Sequence, residues 1–191
     1  MHTAPEMFRI ICAPTAPADI GPDGDYMTVG QNPSRNSDVT EMELSDLYSQ
    51  KILEIAANQP IPGRLADPDA TARRVSRVCG SSIEVDIVVA DGAIRHYGHK
   101  ISACALGQTS AAIVATHIVG TPIAEFRALR GQMTAMLKAD GAPPTGKWAD
   151  LAYLEPVRDY APRHTSTLLV FDAVADALDK IEAGQNVAAA S

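Results

Sequence analysis

Residues 83–101, IEVDIVVADGAIRHYGHKI, decide the fold of this chain. In their first half, apolar residues at 83, 85 and 87 alternate with Glu84 and Asp86, which is the pattern of a half-buried β-strand over 83–90. Asp91-Gly92 follows, and both residue types tolerate the positive φ angles of a two-residue turn. A partner strand is therefore predicted over about 93–101, antiparallel to the first.

The segments on both sides of this hairpin predict an α+β fold. Upstream, TARRVSRV at 71–78 predicts one more strand, so the sheet is a three-stranded antiparallel meander. A helix capped by Ser45 is predicted over about 46–58. Downstream, helices are predicted over about 104–120, 121–137, 148–155 and 163–183. Thr121 is predicted to cap the helix over 121–137, with Pro122 in its first position, and Gly184 is predicted to end the helix over 163–183. We expect the helices on one side of the sheet, with a long C-terminal helix.

Composition divides the chain into three parts. Residues 1–41 are rich in proline and almost free of periodicity, which predicts an N-terminal arm. Residues 42–184 carry the periodic segments and are predicted to form one folded domain. Residues 185–191, QNVAAAS, predict a flexible tail.

Charge and cysteine content restrict the functional class. A net charge of −7 repels a phosphate backbone, so we expect no nucleic-acid partner. No apolar run approaches the ~20 residues of a membrane-spanning helix. Three widely spaced cysteines and an N-terminus unlike a targeting signal predict a reducing, cytoplasmic compartment. Walker, GxGxxG, GxSxG and HExxH motifs are absent, so the sequence predicts no enzyme.

Two cysteines stand at the ends of predicted strands. Cys79 closes the first strand and Cys104 begins the helix after the third, so both belong to the same edge of the meander. The helix N-terminus at Cys104 also favours the thiolate form. Two interpretations stay open at this point. The pair is either half of a soft-metal site or two small buried apolar residues.

Residues 45–184 resemble the scaffold proteins of iron–sulfur cluster assembly, the IscU/SufU/NifU N-terminal group. The marks are the Leu47-Tyr48 opening, Gly63-Arg64-Leu65 followed by DPDAT, Cys79-Gly80, the Asp91-Gly92 turn, Cys104-Ala105 and the closing PVRDYAPRHTSTLLVFDAVADAL. They occur in one order with matching spacing. The resemblance implies the same sheet-plus-helices fold, and it makes 42–184 a scaffold-like domain.

The resemblance also implies a ligand set of three cysteines and an aspartate, often helped by a histidine. Cys79 and Cys104 match the first two cysteines, whereas the aspartate falls on Ser81 and the third cysteine on Ser166. His164 stands one residue from the position of the histidine and is a candidate metal ligand. A serine hydroxyl is a poor ligand at neutral pH, so the ligand set is degenerate.

Three functional hypotheses follow. The first is a scaffold-like protein that binds an iron–sulfur cluster, iron or zinc through Cys79 and Cys104 with reduced ligation. The second is an accessory subunit of a larger complex that keeps the fold and binds no cofactor. The third is a zinc-binding regulator of a cysteine desulfurase. The expected partner is a cysteine desulfurase, or a larger complex onto which the arm 1–41 docks. The alternative for the arm is that Met42 is the true first residue.

Overall fold

The computed structural model describes residues 49–58, 60 and 62–189. Three strands form one antiparallel sheet in sequence order: β1 (Ala70–Val75), β2 (Ser82–Ala90) and β3 (Ala93–Ser102). The turn between β2 and β3 has Asp91 at φ 53° and Gly92 at φ 71°. Both angles are positive, as a two-residue hairpin turn requires. The predicted meander and its Asp91-Gly92 hairpin are confirmed.

One helix precedes the sheet and the others follow it, and helices cover one of its faces. The described helices are α1 (Gln50–Ala57), α2 (Ala105–His117), α3 (Ile123–Lys138), a 3₁₀ helix (Gly146–Asp159), α4 (Ala161–Thr167) and α5 (Leu169–Ala189). Helix α5 packs on β1 and β2, and α2 contacts β3. The alternating side chains Ile83, Val85 and Ile87 are buried in the resulting core with Phe171 and Val174 of α5. The α+β class and the long C-terminal helix are confirmed.

The opposite face of the sheet carries a buried carboxylate. Thr71, Asp86 and Gly98 are paired across the three strands, so they lie on the same face. Asp86 accepts hydrogen bonds from Arg64 Nε and Nη2, from the Thr71 hydroxyl at 2.6 Å and from the Leu65 N–H at 3.1 Å. These bonds hold the Gly63-Arg64-Leu65 stretch across the sheet, next to Gly98.

Several element boundaries differ from the predictions. Helix α1 begins at Gln50 with Ser49 as its cap, whose hydroxyl accepts from Ile52 N–H at 3.4 Å; the predicted cap, Ser45, lies outside the described residues. Strand β1 ends at Val75, before the predicted 78. Thr121 is not the cap of α3 as predicted, because Pro122 occupies the N-cap position, and the Thr121 hydroxyl donates to the His117 carbonyl instead.

The C-terminal helix also differs. The predicted helix over 163–183 is two helices, α4 and α5, separated at Leu168. Helix α5 continues through Gly184 to Ala189, so the predicted end at Gly184 is wrong and residues 185–189 are helical. A glycine inside a helix costs only about 1 kcal/mol relative to alanine, which does not stop propagation. The predicted arm 1–41 lies outside the described residues.

No helix in the described part of the chain is long and apolar enough to cross a membrane.

Candidate functional site

The loop between β1 and β2 positions Cys79. The Ser76 N–H donates to the Ser81 carbonyl at 2.7 Å, and the Gly80 N–H donates to the Ser76 carbonyl at 2.9 Å. Gly80 has φ 72°, a left-handed conformation that glycine adopts at little cost. Cys79 therefore lies within a closed loop after β1, rather than directly at the end of the strand as predicted, and its side chain is half-buried.

Contact between α2 and α4 positions Cys104 and Ser166. Cys104 is the N-cap residue of α2, in extended conformation. Inside α2, a Cβ added at Gly107 would lie 2.9 Å from the Ala103 Cβ and 3.1 Å from the Ser166 carbonyl oxygen. Glycine at 107 thus lets α2 approach α4 closely, and this approach brings Ser166 to Cys104.

Cys79, Ser81, Cys104 and Ser166 meet at one end of the sheet. The Cys79 Sγ lies 3.1 Å from the Ser81 Oγ and 3.3 Å from the Ser76 Oγ. The Cys104 Sγ donates to the Ser166 Oγ at 3.7 Å, and the Ser166 hydroxyl itself donates to the Arg163 carbonyl at 2.9 Å. Ser166 also contributes to the lowered pKa of Cys79. Both thiols border an open hollow of about 210 Å³ that Gly80, Ser81, Ser102, Ala103 and Arg163 also line.

The Cys79 thiol is acidified by its surroundings. Partial burial alone would raise its pKa, but hydrogen bonds from Ser76, Ser81 and Ser166 stabilise the thiolate and lower the pKa to about 7. The thiolate is the form that acts as nucleophile and as metal ligand. At neutral pH, a large fraction of Cys79 is ready for either role.

His164 is placed differently from the four residues above. It is buried, and its Nε2 lies 3.0 Å from the Val157 carbonyl oxygen and 2.9 Å from that of Arg158. Since carbonyls only accept, Nε2 carries the proton and is not free to bind metal. Among the described residues, no group of three His, Cys, Asp or Glu side chains could hold a metal ion. Cys12, the third cysteine, lies outside them.

Sequence reasoning missed two members of this site. Ser76 contacts Cys79 three residues earlier in the chain, and Arg163 lines the hollow three residues before Ser166. The signal for Arg163 was available, because residues three apart on a helix share a face. Ser76 gave no such signal, since it was predicted to lie inside a strand.

Relatives of known structure support a family assignment. The chain is 46% identical to a nitrogen-fixing NifU-like protein (N-terminal) from Brucella abortus, with a TM-score of 0.71; the match covers 73% of this chain and 97% of that one. It resembles in fold a protein described as a scaffold for the SUF system from Fervidobacterium islandicum, with 16% identity, a TM-score of 0.65, and coverage of 70% and 98%.

One curated relative agrees with this assignment. It is the iron–sulfur cluster assembly scaffold protein IscU of Thermotoga maritima, 24% identical over 135 residues, which are 71% of this chain and 94% of the relative. No protein-family model matches the chain. With 46% identity over nearly all of the NifU-like structure, the chain belongs to the IscU/SufU/NifU-like family of scaffold proteins.

Proposed function

We propose that the chain is a scaffold-like protein of iron–sulfur cluster assembly, which binds its cargo through Cys79 and Cys104. The single observation that carries this proposal is that both thiols line one open hollow, which the contact between Cys104 and Ser166 helps to close. Soft thiolates select iron–sulfur clusters and zinc over hard cations. The cluster or metal ion is cargo here, as expected for a scaffold, and is not a resident cofactor.

The donor set supports binding with reduced ligation. An iron–sulfur cluster takes four protein ligands as a rule, whereas the described chain offers two thiolates at this site and two serine hydroxyls. The hydroxyls of Ser81 and Ser166 stay protonated at neutral pH and interact with the thiols by hydrogen bonds instead of binding a metal ion. The remaining ligands therefore come from outside the site, as sulfide, water or groups of a partner.

The expected partner is a cysteine desulfurase, which supplies the sulfur, or a larger complex in which the scaffold is a subunit. The relatives named above support the assembly role, because two of them are described as cluster assembly scaffolds. We place the protein in the cytoplasm and assign it no turnover of its own. Its contribution is the thiol pair, in which Cys79 has a lowered pKa, and the pair holds the cargo until transfer.

Anaerobic reconstitution with ferrous iron and sulfide tests the proposal. We expect Cys79→Ser and Cys104→Ser each to lose most of the bound iron and acid-labile sulfide, measured per chain after desalting. Cys12→Ser is the matched control, because it removes a thiol that has no place in the proposed site, and it should retain both. Equal retention by the double variant Cys79→Ser/Cys104→Ser would refute the thiol site.

A gain-of-ligand variant tests the reduced ligation separately. Ser81→Asp combined with Ser166→Cys adds a carboxylate and a thiolate beside the two existing thiols. We expect its affinity for zinc or cluster to rise by about two orders of magnitude or more, because each added ligand supplies charge and coordination number. Competition with a chelator measures this affinity. An affinity no higher than that of the parent would show that Ser81 and Ser166 are not ligand positions.

A second candidate function is an accessory subunit that binds no cargo. The observation that favours it is the lack of a third His, Cys, Asp or Glu near the thiols among the described residues. Analysis of untagged protein for iron, zinc and sulfide separates the two functions. Bound iron and sulfide support the scaffold, stoichiometric zinc alone supports a regulator, and the accessory subunit should contain none of them.

A further inference from the structure

The lysine and arginine side chains near the thiol hollow lack the carboxylate partners that most others in the described part of the chain have. Most lysines and arginines of the described part pair with a carboxylate; examples are Arg74 with Asp176 and Arg130 with Asp172. Five lysine and arginine side chains of the described residues make neither an ion pair nor a hydrogen bond: Arg73, Arg77, Lys100, Lys138 and Arg163. All of them except Lys138 belong to the end of the sheet where the thiols lie.

The sheet register places these cations on one continuous surface. Arg73, Glu84 and Lys100 pair across the three strands, on the face that carries Asp86. They line a depression of about 300 Å³ together with Ser82 and Ser102. Ser102 also borders the thiol hollow, whose wall includes Arg163. Arg64 forms ion pairs with both Glu84, at 2.9 Å, and Asp86, so these three groups together carry one negative charge. Arg73 and Lys100 outweigh it, and the surface therefore carries a net positive charge.

Exposed apolar side chains lie beside these cations. Val75 is 49% exposed and Val78 is 67% exposed, and they are among only five large apolar side chains that the described residues expose. Val75 shares the outer face of β1 with Arg73, and Val78 directly precedes Cys79. An exposed apolar residue alone needs no explanation, but two within a row of unpaired cations indicate an interaction surface.

We propose that this surface, the basic rim (Arg73, Val75, Arg77, Val78, Lys100 and Arg163), docks an acidic segment of a partner protein that also carries apolar side chains. The argument is charge complementarity: unpaired arginines and lysine on a chain of net charge −7 concentrate its positive potential at one place. Docking there would bring the partner directly to Cys79. The proposal is independent of whether the thiols bind metal.

The chemistry of the rim favours a protein segment over other anions. Arg73 and Lys100 lie two strands apart, about 10 Å, so they suit several separate negative charges better than one phosphate. Val75 and Val78 offer apolar contact, which a nucleic-acid backbone does not match. The overall negative charge of the chain also repels a long polyanion.

A titration of the full-length, metal-free chain tests the rim. The probe is a fluorescein-labelled 12-residue peptide of alternating glutamate and leucine pairs, followed by anisotropy at low salt. We expect binding that weakens as salt rises, and a loss of about 10-fold or more in the variant Arg73→Gln/Arg77→Gln/Lys100→Gln. The control Arg95→Gln/Arg127→Gln/Arg130→Gln removes the same charge from paired, exposed sites and should bind like the parent.

The apolar part of the rim has its own variant. Val75→Ser/Val78→Ser should weaken peptide binding several-fold, whereas Val119→Ser, at another exposed valine, should not. Circular dichroism and thermal unfolding establish that each variant is folded. No peptide binding by the parent, equal loss in both charge triplets, or tighter binding of a 12-nucleotide single strand than of the peptide would each overturn the proposal. Because no metal enters this assay, its failure is distinguishable from failure of the thiol site.

Discussion

Strand β2 connects two polar clusters that are built in opposite ways. In the middle of the strand, the Asp86 carboxylate is fully buried and receives hydrogen bonds from Arg64, Thr71 and Leu65. At the end of the sheet where this strand begins, Cys79 and Cys104 are half-exposed and make only weak hydrogen bonds to serine hydroxyls. The carboxylate oxygens of Asp86 are thus occupied by hydrogen bonds, whereas the sulfur atoms of Cys79 and Cys104 keep lone pairs available.

The difference separates stability from function. Burial alone would raise the pKa of Asp86, but the hydrogen bonds from Arg64, Thr71 and the Leu65 N–H, with the charge of Arg64, hold it below its usual range. The carboxylate is therefore charged, paired and unavailable to any ligand. The thiol cluster has a group titrating at about 7 and an open hollow in front of it. A polar cluster with spare bonding capacity and an opening is the better functional candidate.

The largest expected effect on stability comes from a substitution that breaks the Asp86 cluster. Asp86→Ala leaves the Thr71 hydroxyl and the Leu65 N–H without their acceptor, so we expect a loss of about 2–4 kcal/mol in the free energy of unfolding by urea. Asp179→Ala is the control, since its ion pair with Arg127 is exposed and worth at most about 1 kcal/mol. Equal losses in the two variants would contradict a structural role for Asp86.

The pH dependence of Asp86 follows from the direction of its pKa shift. Its folded pKa lies below the unfolded value of about 3.9, so its stabilisation is complete above that pH. The stabilisation is lost as pH falls through the folded pKa. We expect the difference in stability between parent and Asp86→Ala to be constant above about pH 5 and to shrink as the pH falls below about 4. A difference that stays constant on acidification would argue against this shift.

A smaller effect tests the packing beside Asp86. A Cβ at Gly98 would overlap the Gly63 carbonyl oxygen and lie 3.2 Å from the Leu65 backbone nitrogen. We expect Gly98→Ala to cost about 1–3 kcal/mol in thermal or urea unfolding, because backbone atoms must move. Gly131→Ala in α3 meets no atom within 4 Å and should stabilise by about 0.5–1 kcal/mol. A neutral Gly98→Ala would show that the Gly63 stretch moves freely.

The smallest effect on stability belongs to the thiol cluster, where reactivity should change instead. Ser81→Ala removes a hydrogen bond to the Cys79 thiolate, so the pKa of Cys79 should rise above its value of about 7. Iodoacetamide alkylation of Cys79 against pH, followed by mass spectrometry, measures this midpoint. Ser82→Ala is the neighbouring control and should leave the midpoint unchanged. An unaltered midpoint in Ser81→Ala would mean that the hydroxyl does not stabilise the thiolate.

The pattern-based predictions succeeded where the pattern is local. Alternation over 83–90 and the Asp91-Gly92 turn define a hairpin without help from the rest of the chain, and the structure confirms it. The end of β1 was predicted wrongly, because TARRVSRV remains compatible with a strand up to 78. The bond from Ser76 N–H to the Ser81 carbonyl closes a loop there, and it depends on where β2 begins.

The sequence by itself determined the meander, the helical half, and the presence of two cysteines and two serines at the expected ligand positions. Only the tertiary structure decided that Ser166 contacts Cys104, that His164 faces backbone carbonyls, and that Arg163 lines the hollow. The physical reason is the distance along the sequence over which each feature is determined. Strand alternation and turn conformation depend on neighbours within a few residues, whereas the contact of Cys104 with Ser166 spans 62 positions. That contact exists only because α2 and α4 pack closely at Gly107.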